Sequence, residues 1–316
     1  MLFAAAVRVA CAEDALTLVL NWTPSAEHAP FFFAREQGWY AHEGIALQIE
    51  PVLGSPNALQ RAASDARSVA VADFVSVLRG QARSIDVTAV LVLQPVSPWA
   101  FYFGQGTGIA APSDFTGKRL AAQPQDPMRA LWSVVAKRAG VDPGSIHWVD
   151  MANAAKPEAL ARREIDVALN PFLHNHVSYR KALGEQVRVL WWHDLGFTPY
   201  GHVLVAGRAL IDEDPDLLRR FVRVTQRAWA QCLAAPQPCI DELEKANPHL
   251  DAAEQRELFD VAAQLARKAS LDELPGAFDR QRVMATWRDV RSAFGLDEAP
   301  GPKTSNAFVS AQRSNQ

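Results

Sequence analysis

Short apolar runs alternate with amphipathic stretches through the first two thirds of the chain. The run at residues 16–20 (LTLVL) is continuous and apolar, which predicts a buried strand, and it ends in the polar turn 21–25 (NWTPS). Residues 28–37 then read as a helix, with Pro30 tolerable in its first turn and Gly38 just past its end. Residues 45–52 alternate as a strand does. Ser55 and Pro56 offer the N-cap and first-turn chemistry of a second helix, whose inner stripe is Leu59, Ala62, Ala63 and Ala66. Further strands are predicted at 68–72 and 87–93, with Asp73 placed to cap a helix over 74–79.

From about Gly104 the pattern restarts. A strand is predicted at 120–122, and Asp126-Pro127 caps a helix with the apolar face Met128, Leu131, Trp132, Val135 and Ala139. Strands follow at 146–149, 165–169, 187–190 and 202–205, with a helix over 157–163. Beyond Asp214-Pro215 the chain reads as helical: Leu217, Leu218, Phe221, Val222, Ala228, Trp229 and Leu233 keep the 3.6 period. Residues 299–316 are polar and broken by Pro and Gly, which predicts a disordered tail. Strands alternating with helices predict an α/β fold with mostly parallel sheets. The restart predicts two lobes, with the C-terminal helices returning to the first. Open α/β sheets take ligands beyond the carboxyl ends of their strands. That geometry selects 21–28, 54–57, Asp73, 123–126 and Asn170.

Composition narrows the function. The 316 residues carry 32 Lys and Arg against 35 Asp and Glu, so no charge imbalance recruits nucleic acid or an anionic membrane. Residues 1–12, MLFAAAVRVACA, are almost wholly apolar and end in a small-residue site, which predicts a secretory signal cleaved after Ala12. Arg8 lies within that run instead of ahead of it, so the signal is expected to be truncated at its start. Arg8 also stands where lipidation of Cys11 would want an aliphatic residue. Without Cys11, the three cysteines reduce to Cys232 and Cys239. Pro236 and Pro238 fold the chain back between them, and a local disulfide is expected in an oxidising compartment.

Several residues at the strand ends carry candidate chemistry. Trp22 offers a flat face for stacking on a ring, or serves as a rim or core Trp. Asn21 precedes it in the same turn. His28 donates to a ligand or caps its helix. Asp73 reads first as an N-cap and second as a ligand partner, and Ser55 shares that ambiguity. Asn170 is a strand-end amide or a turn residue. Phe197, Tyr200 and His202 flank Gly196 and Gly201, as in a chain crossing close to something flat. Enzymatic signatures are missing: there is no phosphate loop, no H-E-x-x-H and no G-x-S-x-G. The H-x-H at His174 and His176 reads as incidental, and no metal is expected.

Residues 18–40, LVLNWTPSAEHAPFFFAREQGWY, with Glu43-Gly44-Ile45, resemble the opening of the Thi5/NMT-type periplasmic solute-binding proteins. The resemblance continues through Gly54-Ser55, 114–119 (DFTGKR), 139–143 (AGVDP), 164–167 (EIDV) and 196–200 (GFTPY), and covers about residues 16–290. It implies a type II periplasmic binding protein: two α/β lobes, a ligand cleft and two crossing hinge strands. The expected division is a first lobe of 13–103 and 206–298 and a second of 104–205. The implied function is capture of a small planar heterocycle, such as a thiamine pyrimidine precursor, by lobe closure. Delivery would be to an ABC permease in the inner membrane, by a periplasmic monomer without a cofactor. On this resemblance Trp22 stacks on the ring, while His28, Asp73, Asn170 and Tyr200 supply polar contacts or a second aromatic wall; Asn21 and Ser55, at the same strand ends, complete the expected ligand-binding set. The related fungal synthases carry a Cys-rich segment that is replaced here by 197–201 (FTPYG). Their cofactor lysine and substrate histidine fall at Ala72 and Ser76, which argues against enzymatic activity. The alternative ligand is a sulfonate or another small organic anion.

Overall fold

The structure, a computed structural model, describes residues 13–267, 276–296 and 299–310. The expected signal at 1–12 lies outside these, as do the last six residues of the expected tail. The strands are β1 (Asp14–Leu20), β2 (Ile45–Pro51), β3 (Ser68–Asp73), β4 (Val87–Val92), β5 (Trp99–Gly104), β6 (Arg119–Ala122), β7 (His147–Asp150), β8 (Val167–Pro171), β9 (Val187–Trp191) and β10 (His202–Gly207). The helices of the first half are α1 (Ala29–Glu36), α2 (Trp39–His42), α3 (Ser55–Ser64), α4 (Phe74–Ala82), α5 (Pro127–Arg138) and α6 (Lys156–Ala161). The later ones are α7 (Phe172–Leu183), α8 (Arg208–Glu213), α9 (Pro215–Ala234), α10 (Pro236–Ala246), α11 (Ala252–Ala266) and α12 (Arg280–Phe294).

Two five-stranded sheets result, ordered β2-β1-β3-β10-β4 and β7-β6-β8-β5-β9. Each is mixed. β1 pairs in parallel with β2 and β3, while β10 runs antiparallel to β3 and β4. In the second sheet β6 is parallel to β7 and β8, and β5 is antiparallel to β8 and β9. The chain therefore crosses between sheets twice, over 93–98 and over 192–201. Both crossings fall before the boundaries expected at 103/104 and 205/206. β5 (WAFYFG) is buried on both faces, and its aromatic run shows no alternation to mark it as a strand.

Core packing follows the apolar stripes. α9 buries Leu217, Leu218, Phe221, Val222, Ala228 and Trp229, and α1 packs against α9 and α10, so the C-terminal helices return to the first sheet. Cys232 and Cys239 are bonded across the α9–α10 turn, with Cα atoms 5.8 Å apart. The two crossings touch at Gly201, where an added Cβ would lie 2.9 Å from Cβ of Gln94 and 3.1 Å from the Val96 carbonyl oxygen. Arg282 of α12 binds both: it donates to the carbonyls of Pro95, Thr198 and Pro199, and its guanidinium lies 4.1 Å above the Tyr200 ring.

Residues 299–310 differ from the disordered tail expected of them. Ala89 N–H donates to Lys303 O, Thr304 bridges Ala89, Asn306 exchanges hydrogen bonds with the Phe278 backbone, and Phe308 is buried. A polar segment bridged to a sheet edge shows no apolar period, because backbone and amide hydrogen bonds hold it.

Candidate ligand-binding cleft

The first candidate half-site is built where β1 and β3 end and β10 begins. Asn21 follows β1, and its carbonyl holds Gly54 N–H at 2.8 Å. This brings the start of α3 beside the turn. Asn21 Nδ2 lies 3.3 Å from Ser55 Oγ and 3.1 Å from His202 Nε2, and Ser55 Oγ accepts Asp73 N–H at 3.0 Å. Ser55 thus begins its helix without capping it: Gly54 occupies the cap position, and the Ser55 hydroxyl ties the ends of β1 and β3 together through Asn21 and Asp73. Asp73 does cap α4, accepting Ser76 N–H at 3.0 Å.

Behind this line lies a buried ionic layer that the sequence reading missed. Glu27 Oε2 is 3.0 Å from His202 Nδ1 and accepts Gln94 Nε2 at 2.7 Å, while Gln94 Oε1 accepts His202 N–H at 3.2 Å. Burial works against the His202 imidazolium. The Glu27 carboxylate bonded to it, with Asp73 nearby, outweighs that and raises its pKa above the ordinary histidine value. Burial likewise raises the Asp73 carboxyl, opposed by His202 and the N–H groups of Ser76 and Val75. Trp22 stands outside this layer, 43% exposed at the rim.

The other expected residues separate. His28 is buried and its Nδ1 accepts Ser25 N–H at 3.3 Å, closing its own turn. Tyr200, expected as an aromatic wall, is fully buried. Its ring packs edge-on to Phe74 and Phe278 and beneath Arg282, and its hydroxyl accepts Asp279 N–H at 2.8 Å. It braces the crossing instead of lining a cleft, since its surfaces are already covered. Asn170 ends β8 in the other sheet, where Oδ1 accepts the Tyr179 hydroxyl at 2.5 Å. Its buried Nδ2 has no protein partner among the described residues.

A cavity of about 240 Å³ opens at the ends of β6 and β8 and the start of β5. Trp99, Gln123, Gln125, Asp126, Pro127, Met128, Asn153 and Pro171 line it. Asp126 accepts Met128 N–H at 2.8 Å as the cap of α5. Beneath it Lys156 is fully buried, donating to Asn153 Oδ1 at 2.8 Å and Leu169 O at 2.7 Å, with its ammonium 3.9 Å from Asp126 Oδ2. Burial lowers the Lys156 pKa to about 8 and raises that of Asp126, each partner opposing the other's shift. The spacing of residues 123–126 after a strand flagged the loop. Nothing in the sequence flagged Lys156, because a lysine beside a proline reads as surface. Both half-sites adjoin the crossings, one through Gln94 and His202, the other through Trp99.

Among the described residues no group of three or more His, Cys, Asp or Glu side chains is placed to hold a metal ion, and no helix is long and apolar enough to cross a membrane. The His174 side chain lies outside the described residues. His176 stacks on Phe172 with ring centroids 4.1 Å apart.

Comparison with known proteins supplies a family. The model described as NMT1/THI5 like matches residues 25–238. The chain is 28% identical over 233 residues to the riboflavin-binding protein RibY of Chloroflexus aurantiacus, covering 72% of this chain and 64% of that one. It is 24% identical to a 4-amino-5-hydroxymethyl-2-methylpyrimidine phosphate synthase of Legionella pneumophila, over 78% of each chain. It is 21% identical to the formylaminopyrimidine-binding protein of Halalkalibacterium halodurans, over 73% of this chain and 70% of that one. Among solved structures, the periplasmic aliphatic sulphonate binding protein SsuA from Escherichia coli aligns over 96% of this chain and 95% of its own, with TM-score 0.70 and 15% identity. The fold is thus that of the periplasmic binding proteins.

Proposed function

The chain belongs to the NMT1/THI5-like family, and from that premise we propose that it is the periplasmic solute-binding component of an ABC importer, taking a small planar nitrogen heterocycle between its lobes. The observation that carries this reading is Trp22, a large aromatic left 43% exposed beside the hydrogen-bonded Asn21–Ser55–Asp73 line. An exposed indole next to strand-end polar groups stacks a ring while those groups read its edge. Relatives named for riboflavin and for formylaminopyrimidine bind planar heterocycles, which supports the same class. Closure of the second lobe would bring Trp99, Asp126 and Asn153 onto the other side of the solute and present the closed form to a permease. The role is binding without chemistry. Ala72 and Ser76 offer neither the lysine nor the histidine on which the resembling fungal synthases rely.

The test is calorimetry and thermal shift with aminopyrimidines, flavins and sulfonates. A planar heterocycle should raise Tm, because it binds only the folded state. Stacking contributes about 1–3 kcal/mol, so Trp22→Ala should weaken that ligand by about one to two decades. Unchanged affinity in the variant would remove Trp22 from the site.

A further inference from the structure

We propose that Asp126 makes the second-lobe wall selective for a ligand presenting an N–H donor, and closed to a phosphate, sulfonate or carboxylate group. The proposal deepens the preceding reading and rests on the cavity at β6, β5 and β8 being that lobe's share of the cleft. Among the described residues Asp126 is the one charged residue lining the cavity, and the other polar liners are the amides Gln123, Gln125 and Asn153.

The start of a helix ordinarily welcomes an anion through its free N–H groups. Here that capacity is removed. Pro127, the first residue of α5, has no N–H, and neither has Pro124 in the preceding loop. Met128 N–H is taken by Asp126 itself at 2.8 Å. An incoming anion would meet a carboxylate where another chain of this shape could offer backbone donors.

The nearest cation does not reverse this. Lys156 is fully buried below the carboxylate, and its ammonium is engaged by Asn153 Oδ1 and Leu169 O while standing 3.9 Å from Asp126 Oδ2. It is a positioning residue: it orients Asn153 and opposes, by its charge, the desolvation that would neutralise Asp126. A carboxylate has about four lone-pair sites, and capping leaves part of that capacity to face the cavity. The group that satisfies it is an amino N–H or a protonated ring nitrogen.

The experiment measures affinity of the wild type, Asp126→Asn and Asp126→Ser for two probes, 4-amino-5-hydroxymethyl-2-methylpyrimidine and its phosphate ester. Asn and Ser both cap helices, so α5 keeps its start. The wild type should prefer the alcohol by about 10- to 100-fold, because both probes carry the same amino group and only the ester sets a like charge against the carboxylate. Both variants should lose most of that ratio, whereas Trp22→Ala should weaken both probes and leave the ratio intact. A wild type that binds the ester as tightly, or a ratio unchanged in the variants, overturns the proposal. If neither pyrimidine binds, the aminopyrimidine form of the preceding reading fails on its own account, and the flavins of the panel decide the rest. Asp126 is then decided by small ions: methylguanidinium should raise wild-type Tm and lose that effect in Asp126→Asn, with inorganic phosphate and methanesulfonate inactive. Stabilisation of the wild type by either anion, or an equal methylguanidinium effect in the variant, overturns it.

Discussion

At the scale of single residues, the two half-sites depend on ionisable groups held out of water. Lys156 shows this through pH. Its folded pKa of about 8 lies below the ordinary lysine value of 10.5. Between those values the unfolded chain holds a proton that the folded one has released, so stability rises with pH across the window. It is lost again as pH falls through 8. Denaturant titration at pH 7.5 and 9.5 should show the wild type gaining on the order of 1–2 kcal/mol relative to Lys156→Met. An identical pH response in both proteins would mean that Lys156 is not buried as described. Of the expected site residues, Asn21, Ser55 and Asp73 come together with His202, Trp22 stands at their rim, and Asn170 lies in the other sheet. Their positions after strands made them legible. Glu27 and Lys156 were not legible, because a buried charge looks like any surface charge until its partner 67 or 13 residues away is known.

At the scale of elements, close approaches decide which residues are tolerated. β10 passes α3 so closely that a Cβ on Gly207 would sit 2.1 Å from the Ala62 carbonyl oxygen, a backbone atom that cannot swing aside. Gly207→Ala should therefore cost about 1–3 kcal/mol, and lower Tm by several degrees. Gly144→Ala, whose nearest neighbour would be the Asp142 side chain at 3.6 Å, should leave Tm nearly unchanged. Calorimetric melting of the two variants side by side checks this, and equal effects would contradict it. Secondary structure itself was mostly readable: the strand and helix segments outside β5, α2, α7 and α8 follow from apolar runs, caps and prolines. β5 escaped because its residues are buried on both faces. The α7 sequence, FLHNHVSYRKAL, follows a strand-end proline and has little apolar period to separate it from a loop.

The whole molecule holds its two sheets together through the crossings and through ion pairs between helices of opposite lobes. On one side Arg180 and Lys181 of α7 meet Glu257 and Glu254 of α11, at 2.5 and 3.5 Å. On another, Arg138 of α5 meets Asp289 of α12 at 2.8 Å. All are partly exposed, and such pairs contribute about 0–1 kcal/mol each. On the proposed closure mechanism they would bias an open–closed equilibrium without locking it. Glu257→Arg would place a like charge against Arg180 and should favour the open form. Small-angle scattering should then show a larger radius of gyration without ligand, and apparent affinity should fall about two- to fivefold as the competent fraction shrinks. An unchanged radius and affinity would mean that these pairs carry no part of closure.

Local chemistry, a matter of neighbours within a few residues, was written in the sequence. It determined the alternating α/β pattern, the apolar stripe of α9, the caps at Asp73 and Asp126, and the turn holding Asn21 and Trp22. Only the tertiary structure decided that Tyr200 is a brace, that Glu27 faces His202 across 175 residues, that 299–310 completes an edge, and where the chain changes sheets. Those outcomes turn on which surfaces remain uncovered once two sheets and their helices have packed. That competition for burial is settled between distant segments, where periodicity and capping have no reach.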